Sequence, residues 1–336
     1  MMKWLERVIL VAGFATIGYL VWKFNPHVVF TQIRLFGWGF AAVLPLQFCD
    51  QFFNSQAWRF CFKPQDERRI PLYKLFLGRI AGDGVNYLTP SGSVAGEFIR
   101  PVVLGDAAPE TVKNASVFVA KFSQSIAQML FILCGIIFVL DDRLSFLSLR
   151  ERKYATLAAF GMLIFLCVAL YLAASPKSIF FTKGKWREAK EGMADYLVSH
   201  PIRFSISLML FVVGYSAGAL EAFVICHFLG MHITAATALA IEVLSNIIDS
   251  IFFMVPAKVG TQEAGKTAIF MWLGFPAAKG LAFGLIRHIR ELTWATAGFL
   301  VFAWKRRQAA AVIKEAAPSS QAPGAPLPET LQPIDF

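Results

Sequence analysis

The sequence predicts an all-α, polytopic membrane protein with six full transmembrane helices and two re-entrant helical hairpins, arranged as an inverted-topology repeat. Three observations carry that expectation. Only 16% of the 336 residues are charged and 57% are apolar, and the apolar residues, with 33 Phe among them, fall in long blocks; an ordinary soluble domain is about 25% charged. Two of the blocks are interrupted by Pro, Gly and charged residues. The interrupted blocks also share one pattern of charges at a fixed spacing.

A crossing helix needs about 20 apolar residues. Windows of that kind run from Leu5 to Trp22, Phe36 to Arg59, Asn114 to Leu140, Tyr154 to Ala173, Phe204 to Phe228 and Leu281 to Trp304. Lys3 and Arg7 precede the first window, but no small-x-small cleavage site follows it before Trp22, so an uncleaved span is expected rather than a signal peptide. An even number of crossings puts both termini on one side. With the termini cytoplasmic, Lys63, Arg68, Arg69, Lys74, Lys183, Lys185, Arg187, Lys190 and Lys305 to Arg307 lie inside, as the positive-inside rule asks. The loop after Leu140, with Arg143, Arg150, Arg152 and Lys153, is the discordant piece. The net charge of +10 is assigned to loops facing anionic lipid, not to nucleic acid. Trp4, Trp22 and Trp304 fit interface anchors.

The transmembrane unit is expected over residues 1–304, with repeats at about 36–140 and 204–304. Within it, Trp186, Ala189, Met193 and Leu197 recur at helical spacing in a cytoplasmic segment, 175–200. That segment fits an interfacial helix or a solvated linker helix equally. Residues 305–336 turn Ala/Pro/Ser-rich, which predicts a disordered cytoplasmic tail and no soluble catalytic domain. The five cysteines and five histidines are dispersed, without C-x-x-C or H-E-x-x-H; neither a metal nor a cofactor is expected.

The interrupted regions are the most informative. Asp83, Pro90, Glu97, Arg100 and Lys121 are matched by Asp249, Pro256, Glu263, Lys266 and Arg287, each pair 166 residues apart. Proline lacks an amide hydrogen and disfavours helix just before it, so hairpins should turn at Thr89-Pro90-Ser91-Gly92 and Val255-Pro256-Ala257-Lys258. The topology hangs the first from the cytoplasmic side and the second from outside, which makes the repeats inverted. Transporters of that architecture bind substrate near the midplane at broken helices. The second half-helix of each hairpin should begin with free amide hydrogens, which attract anions. Gly92, Gly96 and Gly260 permit close backbone approach, and Lys258 adds charge.

Glu97 and Arg100 share a helical face, as do Glu263 and Lys266. In the first hairpin Arg79, Asp83, Glu97 and Arg100 would together cost roughly 10 to 14 kcal/mol at the bilayer centre unless paired or wetted. They are therefore expected to pair around a polar cavity. Two readings stand for all of these charges: a headgroup site, or buried pairs that hold the hairpins in place. Lys121 and Arg287 are open to phosphate binding or to pairing with the hairpin carboxylates. Arg290, Glu291 and Glu242 are expected to be structural.

The stretch from Asn86 to Arg100 resembles the first signature of the flippase-like membrane family related to the transmembrane region of lysylphosphatidylglycerol synthase. Val255 to Gly265 is similar to its second signature, and Arg287 to Gly298 resembles its closing helix; the resemblance covers about residues 5–305. Lys258 departs from the glycine-rich turn common in the family. The resemblance implies movement of a phospholipid, hopanoid or polyprenyl-linked lipid across the bacterial cytoplasmic membrane. Aminoacyl transfer in the full synthase belongs to a separate soluble domain, so enzyme activity is not expected here.

Two other readings compete. A scaffold would bind lipid or a lipid-biosynthesis enzyme through residues 175–200 and the tail. A membrane-embedded lipid-phosphate enzyme would draw on Thr89-Pro90-Ser91-Gly92, but Ser93 stands where the lipid-phosphatase motif has histidine.

Overall fold

The computed structural model describes residues 15–89, 95–143 and 185–316, with isolated positions at 11, 150, 153, 154, 157, 161 and 164. All regular structure among the described residues is helical. The expected window from Leu5 to Trp22 is described continuously only from residue 15, helical to residue 23. The window from Tyr154 to Ala173 lies mostly outside the described residues, and Pro90 to Val94, including Gly92, lie wholly outside them.

Helix α1, Pro26–Phe36, opens with the Asn25 side chain accepting from the His27 amide at 3.1 Å. It meets α2, Gly39–Arg59, at a 68° bend. Gly37, at φ 22° and ψ −94°, turns the corner, and a Cβ on Gly39 would fall 2.5 Å from the Phe36 ring. The chain then forms the first hairpin, α3 (Leu72–Leu88) and α4 (Ala95–Leu104), followed by the long α5 (Glu110–Arg143). Helix α6, Lys185–Ser199, leads into α7, Pro201–Phe228. The second hairpin is α8 (Ala235–Ile251) and α9 (Thr261–Trp272), and α10 spans Ala277–Ala316. Helix α10 thus continues past Lys305 into the segment expected to be disordered.

The four helices α2 to α5 are followed in the same order by α7 to α10. Packing is reciprocal: α2 lies along α7, α3 along α10, and α8 along α5. In lipid, helices associate through close packing rather than water exclusion, and small residues permit it. A Cβ on Gly298 would lie 2.1 Å from the Ile80 carbonyl oxygen, and one on Gly84 would lie 2.6 Å from that of Ala295. These two glycines bring α3 and α10 into backbone contact.

One apolar core joins Phe36, Ile225, Ile241, Phe270 and Phe283; another joins Trp58, Phe62, Leu75, Leu104 and Phe211. Met193 and Tyr196 of α6 belong to the second. The α6 segment is therefore docked on the helix bundle, with Lys63 paired to Asp195 at 2.7 Å and Tyr196 donating to the Phe60 carbonyl. Outward positions include large apolar side chains such as Trp38 and Ile202.

Among the described residues two helical stretches, Glu110–Ile137 and Pro201–Phe228, are long and apolar enough to cross a membrane, and a third is available if the bent α1–α2 pair is one span. The expected window from Leu281 to Trp304 lies inside α10, where Arg287, His288, Arg290 and Glu291 interrupt its apolar character.

Candidate functional site

The first hairpin is held by ion pairs. Asp83 on α3 accepts from Arg79 one turn before it, at 2.9 Å, and from Arg100 on α4, at 2.8 Å. Gln51 of α2 donates to the same carboxylate at 3.2 Å. Arg100 reaches back to Glu97 at 2.7 Å, and Glu97 also accepts from Lys121 of α5 at 3.2 Å. The sequence pattern thus converges in space, with Arg79 and Gln51 added to it. The guanidinium of Arg100 lies over the Trp58 ring at 5.9 Å, and its side chain is 1% exposed. Lys121 is 42% exposed and Asp83 29%. The cluster therefore runs from a closed interior to an open edge.

The second hairpin follows the same plan with different partners. Its turn is Pro256–Lys258, with Ala257 and Lys258 both left-handed at φ 50° and 54°, and Gly260 at φ 80° precedes α9. Two non-glycine residues in that region store backbone strain. The Lys258 ammonium pairs with Asp249 at 2.9 Å, which ties the turn to α8. Lys266 approaches the same carboxylate at 3.6 Å, matching the Asp83–Arg100 pair.

Glu263 and Arg287 depart from their counterparts. Glu263 is fully buried; one oxygen accepts from the Gly260 amide at 2.9 Å and the other meets the imidazole of His288. The expected free amides at the start of α9 are thus reduced by a side-chain cap. In the first hairpin the Gly96 amide is likewise taken, by Asn86 at 2.7 Å. Arg287, equivalent to Lys121, does not pair with the hairpin glutamate. It bridges Glu221 of α7 at 3.4 Å and Glu242 of α8 at 2.6 Å.

Further contacts extend the second cluster into the bundle. Arg290 pairs with Glu221 at 2.9 Å and Glu291 at 3.1 Å, and it donates to Gln47 of α2. Gln47 donates to Asp50, which Asn54 also reaches. The Gln262 amide sits between Glu291 and Lys266, at 3.0 and 3.3 Å. Arg290, Glu291 and Glu242, expected to be structural, tie α10 to α2, α7, α8 and α9. Glu221 and His288 went unnoticed in the sequence because the partner of each lies on another element.

Among the described residues no group of three or more His, Cys, Asp or Glu is placed to hold a metal ion. Cys49, Cys61, Cys134 and Cys226 are free thiols.

Comparison with curated proteins and with solved structures finds no match. The model of the family described as Lysylphosphatidylglycerol synthase TM region matches residues 7–298, which include both hairpins and every charged residue of the two clusters. The chain belongs to the family of the lysylphosphatidylglycerol synthase transmembrane region and is a helical membrane protein.

Proposed function

We propose that the chain is a lipid translocator that carries an anionic or phosphate-bearing headgroup through the two charge clusters while the acyl chains remain in lipid. The observation that supports this best is the gradation of exposure along the ion pairs. Arg100 and Lys266 are closed off at 1% and 2%, whereas Lys121 and Lys258 are reachable at 42% and 28%. A phosphate arriving at either lysine meets a cation already paired with a carboxylate. It exchanges one anion for another without stripping a bare charge of water, a step that would be far more costly.

In this reading the two hairpins are re-entrant and enter from opposite sides, six helices cross fully, and both termini are cytoplasmic. The repeated helix order and the reciprocal packing of α3 on α10 and α8 on α5 favour that arrangement. Lys121, Arg100, Lys258, Lys266 and Arg287 supply positive charge, with Asp83, Glu97 and Asp249 as the carboxylates that a headgroup displaces. Glu263 instead holds the second turn in shape. The family points to a phospholipid, hopanoid or polyprenyl-linked lipid in the bacterial cytoplasmic membrane, and the reading includes no chemical step. A scaffold that docks a lipid-biosynthesis enzyme is less favoured, because α6 already commits Met193 and Tyr196 to its own bundle.

Purified protein in vesicles containing a fluorescent phospholipid tests the reading. Lipid should cross between leaflets faster than in empty vesicles, and Glu97→Gln and Lys121→Gln should slow it on the order of tenfold, the effect of about 1.4 kcal/mol on a barrier. Equal rates with and without protein, across phospholipid and polyprenyl-phosphate probes, would refute it.

A further inference from the structure

The turn of the second hairpin holds a backbone conformation that its residues do not favour. Ala257 and Lys258 are both left-handed, at φ 50° and 54°, a region in which an L side chain crowds the following carbonyl and glycine is at ease. The position 166 residues before Lys258 is Gly92. The second half therefore carries a lysine where the first half has glycine. Strain of this kind persists only where surrounding contacts hold it, and Lys258 itself supplies one of them.

The Lys258 ammonium crosses to Asp249 of α8 at 2.9 Å, and Thr261 of α9 donates to the Lys258 carbonyl at 3.0 Å. In the first hairpin the equivalent carboxylate, Asp83, takes a cation from within α3, where Arg79 lies one turn before it and is 5% exposed. The counterpart of Arg79 is Ser245, which donates instead to the Ile241 carbonyl at 2.6 Å. The cation has thus moved from a closed helix position to the turn, where it is 28% exposed. An ion pair so placed ties the turn to α8 and stays open to exchange. The chain leading into the turn has little to hold it, since Phe252, Phe253 and Met254 follow α8 with exposed side chains. Pro256, by contrast, is buried, and the turn packs against α3 of the first hairpin.

We propose that the Lys258–Asp249 pair is a latch: it keeps the turn left-handed against α3, and a phosphate oxyanion releases the turn by drawing the Lys258 ammonium away. That the anion arrives as a lipid headgroup rests on the translocator reading above; the latch itself does not. Asp249 retains Lys266, at 3.6 Å, so the exchange leaves neither Asp249 nor Lys258 as a bare charge. The released backbone relaxes to negative φ. Because Glu263 keeps the Gly260 amide at 2.9 Å, the movement falls on residues 252–258 and on their contact with α3. Glycine at the equivalent position of the first hairpin carries no ammonium, so the two halves respond differently to the same anion.

Hydrogen exchange of the peptide spanning residues 252–260, in the full chain in lipid nanodiscs, reads the latch. In phosphatidylcholine discs, inorganic phosphate should speed exchange there relative to chloride at equal ionic strength. Replacing part of the lipid by phosphatidic acid should do so without free phosphate. Acceleration in either arm supports the latch and identifies which source of phosphate reaches it; acceleration in neither would overturn it. Lys258→Gly relieves the backbone as it removes the ammonium, so it should exchange fast from the start and respond to neither anion. Slow exchange in that variant, or a response that persists, would contradict the latch. Ala257→Gly leaves the ion pair in place and removes part of the strain. It should need about fivefold or more phosphate for half the effect, the equivalent of the roughly 1 to 2 kcal/mol that left-handed backbone costs an L residue. An unchanged or lower requirement would rule out strain as the driving force and the latch with it. A latch that responds in discs while vesicles show no lipid movement would refute the translocator reading and leave the latch standing.

Discussion

The carbonyl oxygen of Gly82 lies 1.9 Å from where a Cβ on Gly96 would stand, so the two arms of the first hairpin touch backbone to backbone. That contact sets the separation across which Arg100 reaches Asp83.

Gly96→Val should force α3 and α4 apart and destabilise the protein by about 1 to 3 kcal/mol, the usual effect of overpacking a tight contact. Thermal unfolding in detergent measures it. Gly18→Ala, which meets open space, is the control and should leave the melting temperature unchanged.

Arg100 and Lys121 should separate stability from transport. Arg100→Gln removes the buried cation that Asp83 and Glu97 share and should destabilise by about 3 to 5 kcal/mol. Lys121→Gln, at the exposed edge, should alter stability by about 1 kcal/mol or less while slowing lipid movement. Unfolding curves and the vesicle assay on both variants check the split.

Arg287 bridges carboxylates on two helices, and a planar guanidinium does this where one ammonium does not. Arg287→Gln should cost about 3 to 5 kcal/mol by leaving Glu242 and Glu221 short of a partner. Adding Glu242→Gln should recover part of that loss, because Glu221 retains Arg290. A double variant no more stable than the single one would contradict this partnership.

The docking of α6 should weaken in acid. The hydrogen bond from Lys63, followed by its charge, holds the Asp195 carboxyl below its ordinary value of 3.8. A depressed carboxylate stabilises above its unfolded pKa, and the effect disappears as pH falls through the folded value. Hydrogen exchange in α6 should therefore rise below the ordinary carboxylate range. Asp195→Asn should raise it at neutral pH and remove the acid dependence.

Much of the site was legible because charge is rare in an apolar chain. Asp83, Glu97 and Arg100, with their counterparts at Asp249, Glu263 and Lys266, stood out by spacing alone, and the break at Pro256 followed from proline chemistry. Partner choice was not legible. Lys121 and Arg287 occupy equivalent positions, yet one pairs with Glu97 and the other with Glu221 and Glu242. That difference depends on glutamates without a counterpart in the first half, where Ser55 and Phe76 stand instead. The 68° bend at Gly37 was hidden for another reason. The apolar run continues through it, and hydropathy does not register a change of direction.

Side-specific labelling of cysteines at the mouths of the two hairpins tests the central claim most directly. In a chain with its five native cysteines replaced, Arg69→Cys and Ala235→Cys occupy equivalent positions 166 residues apart, before α3 and at the start of α8. The account predicts that a membrane-impermeant thiol reagent reaches Arg69→Cys only from the cytoplasmic side and Ala235→Cys only from the opposite side. Labelling of both from the same side would contradict it.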